Sequence, residues 1–159
     1  MARQDTARAT QKEVRPVVAA WRESLGESLI AVVLFGSRAR GEAHAESDWD
    51  FLVIANALPD RILKRNHFLL SLLPRDWRHR VAVIAKTPLE FESSLPPLYL
   101  DIALDGIVLY DPSGYITGKL AYLRRQIREM GLQRIGKDHD WIWLWRDPPG
   151  TKWELEWRP

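Results

Sequence analysis

The sequence predicts an α/β (α+β) domain with a small mixed β-sheet, helices packed on it, and a tryptophan-rich β-hairpin at the C-terminal end. Two observations predict the sheet and its helices. Short apolar, β-branched runs alternate along the chain with longer stretches whose apolar residues recur every three or four positions. A third observation predicts the hairpin, because tryptophans near the end of the chain recur with a period of two.

The first helix is predicted over residues 6–25, where apolar side chains are spaced for one buried face. Pro16 interrupts this pattern, so the alternative is a helix that begins near Arg15 with Pro16 in its first turn. Gly26 is the predicted stop. The apolar, β-branched residues 28–35 then predict a buried strand.

The middle of the chain continues the alternation of strands and helices. A turn, with room for one helical turn, is predicted over residues 36–41, and a second strand over 48–55. The remaining predictions are a helix at 59–73, a strand at 80–85, a helix start at 87–90, a helix around 98–104, a strand at 106–110 and a basic helix at 115–130. Together they predict a mixed sheet covered by helices.

The tail is predicted to be a hairpin whose two strands lie on either side of the Asp147-Pro148-Pro149-Gly150 turn. Its tryptophans are expected to pack or to self-associate, and nucleobase stacking is the alternative. These side chains are Trp141, Trp143, Trp145, Trp153 and Trp157. His139, between two aspartates, is interpreted as part of a polar strand entry rather than as a metal ligand.

The composition fits one globular domain. The chain has 159 residues, 46% of them hydrophobic, and its formal net charge is only +2. Nucleic acid is not an expected partner, because no strong basic field covers the chain. The longest apolar run, residues 29–35, is far shorter than the ~20 residues that span a bilayer. With no cysteine and no secretory signal, the chain is expected to act in the cytoplasm, away from membranes.

One motif predicts the chemistry. Gly36-Ser37 follows one apolar run, and Asp48 and Asp50 open the next after ten intervening residues. Residues i and i+2 of a strand point to the same face, so the carboxylates lie side by side while Trp49 points away. Such a pair is tolerated when a cation neutralises it. Mg²⁺ prefers oxygen ligands and is commonly held by carboxylates together with substrate phosphates.

The residues around this motif are suited to phosphates. Gly36 lets the backbone turn tightly and lets a phosphate approach, and Ser37 offers a hydroxyl and an N–H group. Arg38 and Arg40 are predicted to bind phosphate, with a solvent-facing position as the alternative for each. These parts indicate phosphoryl chemistry on a nucleoside triphosphate.

At these residues the chain resembles the minimal nucleotidyltransferases of the DNA polymerase beta superfamily. Their signature is Gly-Ser, ten residues, Asp, one residue, Asp, which Gly36-Ser37 and Asp48-Trp49-Asp50 match. The resemblance is strong over residues 30–55, and the element order is compatible through residue 110. It implies a nucleotidyltransferase domain over residues 1–137 and a tryptophan-rich extension over 138–159, packed on or projecting from the same domain.

The resemblance also implies a reaction. An acceptor hydroxyl attacks the α-phosphate of Mg²⁺-bound ATP, or of another nucleoside triphosphate, and pyrophosphate leaves. Asp48 and Asp50 would hold the metal, in a site that can take two ions, and Gly36 and Ser37 would hold the β- and γ-phosphates. AMP is the group that the resemblance implies. The acceptor is a protein or a small molecule, and some members of the group are antitoxins that adenylylate a partner toxin of the HEPN kind.

One carboxylate of the pattern is missing. The superfamily usually has a third acid on a later strand, but residues 80–85 contain none, and Ala82 or Ala85 is expected in its place. The other candidates lie outside that strand and are Asp76, Glu90, Glu92, Asp101 and Asp105. The alternative function is therefore a catalytically degenerate protein of this fold, which binds a nucleotide or a protein partner without transfer.

Overall fold

A computed structural model describes residues 2–136, 141–150 and 155–157, without the side chains of residues 2–6. Its helices are α1 (Ala2–Glu13), α2 (Arg15–Leu25), α3 (Gly36–Arg40), α4 (Ile62–Ser71), α5 (Pro88–Glu92), α6 (Pro97–Asp105) and α7 (Tyr115–Glu129). Its strands are β1 (Leu29–Phe35), β2 (Trp49–Ala55), β3 (Val81–Lys86), β4 (Ile107–Tyr110), β5 (Leu132–Ile135) and β6 (Ile142–Trp145). Among the described residues, no helix is long and apolar enough to cross a membrane.

The main sheet has four strands in the order β3-β2-β1-β4. Strand β1 is antiparallel to β2 and to β4, whereas β2 and β3 are parallel, so the predicted mixed sheet is confirmed. Strands β1 and β2 are apolar on both faces and lie at the centre, where both faces are covered.

The two faces of the sheet belong to two cores. Phe51 and Val53 of β2 point into one core, where the indole N–H of Trp21 in α2 donates to Leu69 O in α4 at 3.0 Å. Leu52 points into the other core, which α6 and α7 cover. Because side chains alternate along a strand with a period of two, residues 48 and 50 lie on the same face as residue 52. The two aspartates are therefore on the side of the sheet that α6 and α7 cover.

The N-terminal helical pattern divides at Val14. Helix α1 ends at Glu13 and α2 begins at Arg15, with Pro16 in the first turn of α2. The alternative start near Arg15 is therefore the correct one, and a separate helix precedes it. Proline has no N–H to donate and its ring crowds the preceding turn, which explains the break.

The predicted hairpin partner of β6 lies partly outside the described residues, and the pairing seen for β6 is a different one. Strand β6 pairs antiparallel with β5, which was not predicted, and Arg134 is opposite Trp143. Residues 155–157 are described without a strand, and Trp153 and His139 lie outside the described residues. Trp143, Trp145 and Trp157 pack against the core covered by α6 and α7, which agrees with the packing interpretation. The boundary between residues 137 and 138 stays a prediction.

A buried arginine joins α4 to the end of β3 and the start of α5. The side chain of Arg65 is only 5% exposed, and it donates to Ala85 O at 3.1 Å and to both carboxylate oxygens of Glu90 at 2.7 and 3.1 Å. Glu90 also accepts from the Thr87 N–H, completing a capping box that the sequence predicts at this helix start. The hydrogen bonds from Arg65 and then from Thr87 lower the pKa of Glu90 to about 2.

Replacing Glu90 by glutamine should therefore have a pH-dependent effect on stability. The lowered pKa means that ionised Glu90 stabilises the fold above its ordinary pKa of 4.5, and that this contribution disappears as pH falls toward 2. At pH 7 we expect Glu90→Gln to cost roughly 1 kcal/mol, since the carboxylate is partly exposed. Urea unfolding at pH 7 and pH 3 measures the difference, which should shrink at pH 3. A difference that is equal at both pH values would contradict it, and Glu129→Gln, in an exposed ion pair with Arg125, is the control.

Candidate functional site

The two aspartates lie where β2 begins, on the face that α6 covers. Asp48 is exposed just before the strand, and Asp50 is half-buried within it. Trp49 and Phe51, which alternate with them, are almost fully buried in the opposite core. The predicted separation of carboxylates and aromatic rings between the two faces is confirmed.

Gly36 is in direct contact with the Asp50 carboxylate. It begins α3 directly after β1 with a φ of 73°, and a Cβ added to it would lie 2.2 Å from Asp50 Oδ2. Only glycine adopts this backbone conformation without strain and also lets the carboxylate come so close. Gly41, at the other end of α3, also has a positive φ and ends the helix. The Gly-Ser turn therefore brings backbone and carboxylate together.

The charge of Asp50 is poorly compensated. Burial raises the pKa of its carboxyl above the ordinary value, and the charge of Asp48 raises it further, while Arg40 and Arg38 act in the opposite direction. A cation bound by both carboxylates would remove the repulsion between Asp48 and Asp50. Asp48 and Asp50 therefore fit a divalent metal that is also bound by substrate phosphates.

The two predicted phosphate-binding arginines have different surroundings. Arg38 donates through Nε and Nη2 to Ser47 O at 3.0 and 2.8 Å, and its guanidinium lies 4.1 Å from the centre of the Trp49 ring. It therefore holds the loop that leads into Asp48. Arg40 is largely buried and forms an ion pair with Glu42 at 2.7 Å. Of the two, Arg40 is a lining residue of the cavity beside Asp50.

The strand next to β2 has an alanine beside Asp50. In the parallel pairing of β2 with β3, Asp50 is opposite Ala82, which is exposed on the same face, whereas Ala85 is buried in the opposite core. Of the two alanines expected in the place of the missing acid, Ala82 is therefore the one beside Asp50. Among the described residues, no three histidine, aspartate or glutamate side chains form a group that could hold a metal.

Asp76, one of the other candidate acids, is exposed in the short turn at Arg75–Trp77 before β3 and does not line the cavity beside Asp50. The remaining four candidates divide into two sets. Glu90 binds Arg65, and Glu92 binds Lys119 at 3.0 Å, so both are engaged outside the site. Asp101 and Asp105 on α6 line the same cavity as Asp50.

This cavity has a volume of about 270 Å³ and two walls. One wall comes from the motif and contains Gly36, Ser37, Arg40 and Asp50. The other comes from α6 and from Trp141, a residue that the sequence connects with the tail rather than with the site. The only sequence signal for Trp141 was the period of two among the tail tryptophans. That signal did not indicate that Trp141 would lie near Gly36 and Asp50.

Sequence relatives give this geometry a context. A family profile described as "Nucleotidyltransferase domain" matches residues 17–110. A protein of Methanocaldococcus jannaschii that carries the provisional name protein adenylyltransferase is 30% identical over 124 residues. That alignment covers 76% of this chain and 84% of the relative.

Solved structures share the fold, among them two from toxin–antitoxin pairs. A toxin–antitoxin structure with AMP-PNP superposes with a TM-score of 0.54 and 19% identity, covering 72% of this chain and 86% of that chain. A mutant of the MntA-HpeT toxin–antitoxin pair superposes with a TM-score of 0.52 and 18% identity, covering 71% and 85%. At this identity, the likeness concerns the fold.

Proposed function

The chain belongs to the nucleotidyltransferase domain family, and from that premise we propose that it transfers AMP from Mg²⁺-bound ATP to a hydroxyl of an acceptor. The observation that carries the proposal is the contact between the Gly36 backbone and the Asp50 carboxylate in a cavity that Ser37 and Arg40 also line. The backbone that a phosphate would approach therefore lies beside a carboxylate that would bind the metal of that phosphate. The 30% identical relative, provisionally named a protein adenylyltransferase, supports both the reaction and adenine as the base.

In this proposal the residues act by position and charge. Asp48 and Asp50 hold Mg²⁺, Gly36 and Ser37 bind the β- and γ-phosphates, and Arg40 adds positive charge on the same wall. When bound, Mg²⁺ neutralises the triphosphate and polarises the phosphorus that is attacked. The acceptor oxygen forms a bond to the α-phosphorus, the bond to pyrophosphate breaks, and the hydroxyl proton passes to solvent. Arg38, the other predicted phosphate ligand, positions the loop before Asp48.

We propose a partner protein as the acceptor, and a toxin of the HEPN kind as the class to test first. Two solved structures that share the fold are of toxin–antitoxin pairs, and they suggest the class of partner to look for. The described part of the chain is a sheet with two helical layers, and the cavity beside Asp50 is small, at about 270 Å³. A small-molecule acceptor is the alternative, and the cytoplasm is the expected location.

Ala82 favours a second candidate function, a degenerate member that binds nucleotide or a partner without transfer. It stands where a third carboxylate would help to deprotonate the acceptor. General-base catalysis contributes about 10²–10⁴-fold, so its loss can leave binding intact while transfer becomes very slow.

Calorimetric titration of ATP tests the proposed site. We expect binding in the presence of Mg²⁺ and none when EDTA removes the metal. Without Mg²⁺, the negative triphosphate is repelled by the negative carboxylates of Asp48 and Asp50. The second step incubates the protein with α-labelled ATP and a HEPN-type toxin. Label on the toxin supports transfer, whereas Mg²⁺-dependent binding without label favours the degenerate alternative. No binding at millimolar ATP would contradict transfer and nucleotide binding, and would leave only a degenerate member that binds a protein partner.

Ala82→Asp should create a stronger metal site. The added carboxylate would lie beside Asp50, so it should lower the melting temperature without metal and raise the response to Mg²⁺. We expect Mg²⁺ to stabilise Ala82→Asp by on the order of 1 kcal/mol more than it stabilises wild type, which raises the melting temperature by ~2–4 °C for a domain of this size. Thermal unfolding with and without Mg²⁺ measures it, and Ala82→Asn is the uncharged control. An equal Mg²⁺ response in the two variants would show that residue 82 does not face the metal.

A further inference from the structure

The cavity wall opposite the motif contains an aromatic ring whose other side is covered by a cation. Trp141 lines the cavity, and the Arg134 guanidinium carbon lies 4.9 Å from the centre of its ring. Arg134 belongs to β5 and Trp141 directly precedes β6, so the pairing of these strands brings them together. The ring therefore has one face against a guanidinium and an edge or face available to the cavity.

Arg134 is held firmly in this position. Its Nη1 donates to Asp101 Oδ1 at 3.2 Å and to Asp105 Oδ2 at 2.5 Å, and the side chains of Arg134 and Asp105 are 15% and 9% exposed. The Trp143 indole N–H also donates to Asp101 Oδ1, at 3.2 Å. Helix α6 and the β5–β6 pair are thus tied together by charge-assisted bonds, and Trp141 rests on a preformed support.

The Trp141 indole N–H is a second, independent observation. Its Nε1 atom is buried and has no hydrogen-bond partner among the described residues. Buried indole N–H groups usually find a partner, and an unpaired one is costly. This N–H lies in the plane of the ring, so an acceptor atom at the edge of the ring would satisfy it.

We propose that Trp141 is the stacking platform for the nucleobase of the bound nucleoside triphosphate. This rests on the proposed function, in which the triphosphate lies against Gly36 and Ser37, so that the rest of the nucleotide extends toward the wall formed by α6 and Trp141. A flat aromatic ring in a cavity that the apolar side chain of Ile102 also lines suits a planar base. The Arg134 guanidinium behind the ring adds a cation–π contact to the stack.

Comparison of two ligands tests this assignment. Mg²⁺–ATP and Mg²⁺–tripolyphosphate share the phosphates and the metal, but only ATP carries a base. We expect Trp141→Leu to weaken ATP binding about 5- to 150-fold, the range equivalent to losing one base–aromatic stack, and to leave tripolyphosphate binding within about twofold of wild type. Trp141→Phe, which keeps a ring, should retain most of the ATP affinity. Both ligands are titrated calorimetrically into the full chain.

Ile142→Ala is the matched control, because Ile142 is the next residue and its side chain is 57% exposed. It should bind both ligands like wild type. Equal ATP binding by wild type and Trp141→Leu would overturn the stacking proposal, and so would an equal loss of both ligands. If wild-type protein binds neither ligand with Mg²⁺, the proposed function fails instead. If Trp141→Leu keeps wild-type ATP binding while Asp50→Asn loses it, the stacking proposal alone fails.

Discussion

Gly36→Ala should strongly weaken Mg²⁺-dependent ATP binding and destabilise the fold. The new Cβ would lie 2.2 Å from Asp50 Oδ2 and 3.0 Å from Asp50 Cγ, so the carboxylate could not keep its position. An L-residue at a φ of 73° also carries about 1–2 kcal/mol of backbone strain. We expect ATP affinity to fall at least about 10- to 100-fold, the loss typical when the support of a metal ligand is removed. Calorimetry measures the affinity and urea unfolding the stability.

Gly118→Ala is the matched control for this substitution. Gly118 lies within α7, and a Cβ added to it would meet no atom within 4 Å. Alanine in a helix interior is favoured over glycine by roughly 0.5–1 kcal/mol, so this variant should be slightly more stable and bind ATP normally. Wild-type affinity in Gly36→Ala would show that the contact between Gly36 and Asp50 does not matter for the nucleotide.

Asp48→Asn should remove the stabilisation of the protein by Mg²⁺–ATP while leaving the ligand-free fold intact. The charge of Asp48 is one of the causes that raise the pKa of Asp50, so its removal relieves repulsion when no metal is bound. At 100 times its Kd a ligand stabilises by ~2.7 kcal/mol. For wild type that corresponds to a rise in melting temperature of roughly 5–10 °C, which the variant should lack.

Thermal unfolding with and without Mg²⁺–ATP measures this effect for Asp48→Asn and Asp50→Asn. Asp60→Asn serves as the control, since Asp60 is an exposed loop residue beyond the opposite end of β2. The control should keep the full ligand-induced shift. A full shift in either site variant would mean that its carboxylate is not a ligand of the metal.

Most of the main sheet could be predicted because its central strands carry their own signal. Strand β1 is a continuous apolar run, and β2 is one apart from Asp50; burial on both faces selects such runs. The pairing of β5 with β6 could not be predicted in this way. Leu132–Ile135 has two polar residues in its middle and follows a basic helix, so it resembles surface, and strand partners are decided by packing far along the chain.

The candidate site, like the sheet, could be predicted only in part. The Gly-Ser turn and the two aspartates form a local pattern, and their common face follows from the strand period. The direction of an arginine does not follow from sequence, since Arg38 satisfies backbone carbonyls as readily as it would a phosphate. Nor could the cavity role of Asp101 and Trp141 be predicted, because it depends on how α6 and the β5–β6 pair close over the sheet.

The closing of the cavity by Trp141 has a consequence for biosynthesis. The motif around Gly36 and Asp50 emerges from the ribosome well before β5 and β6, since chains are made and begin to fold from the N-terminal end. Until Trp141 has been translated and β6 has joined β5, the aspartates lie on a sheet face that lacks one side of its cleft. A nascent chain therefore completes this cavity only late in translation.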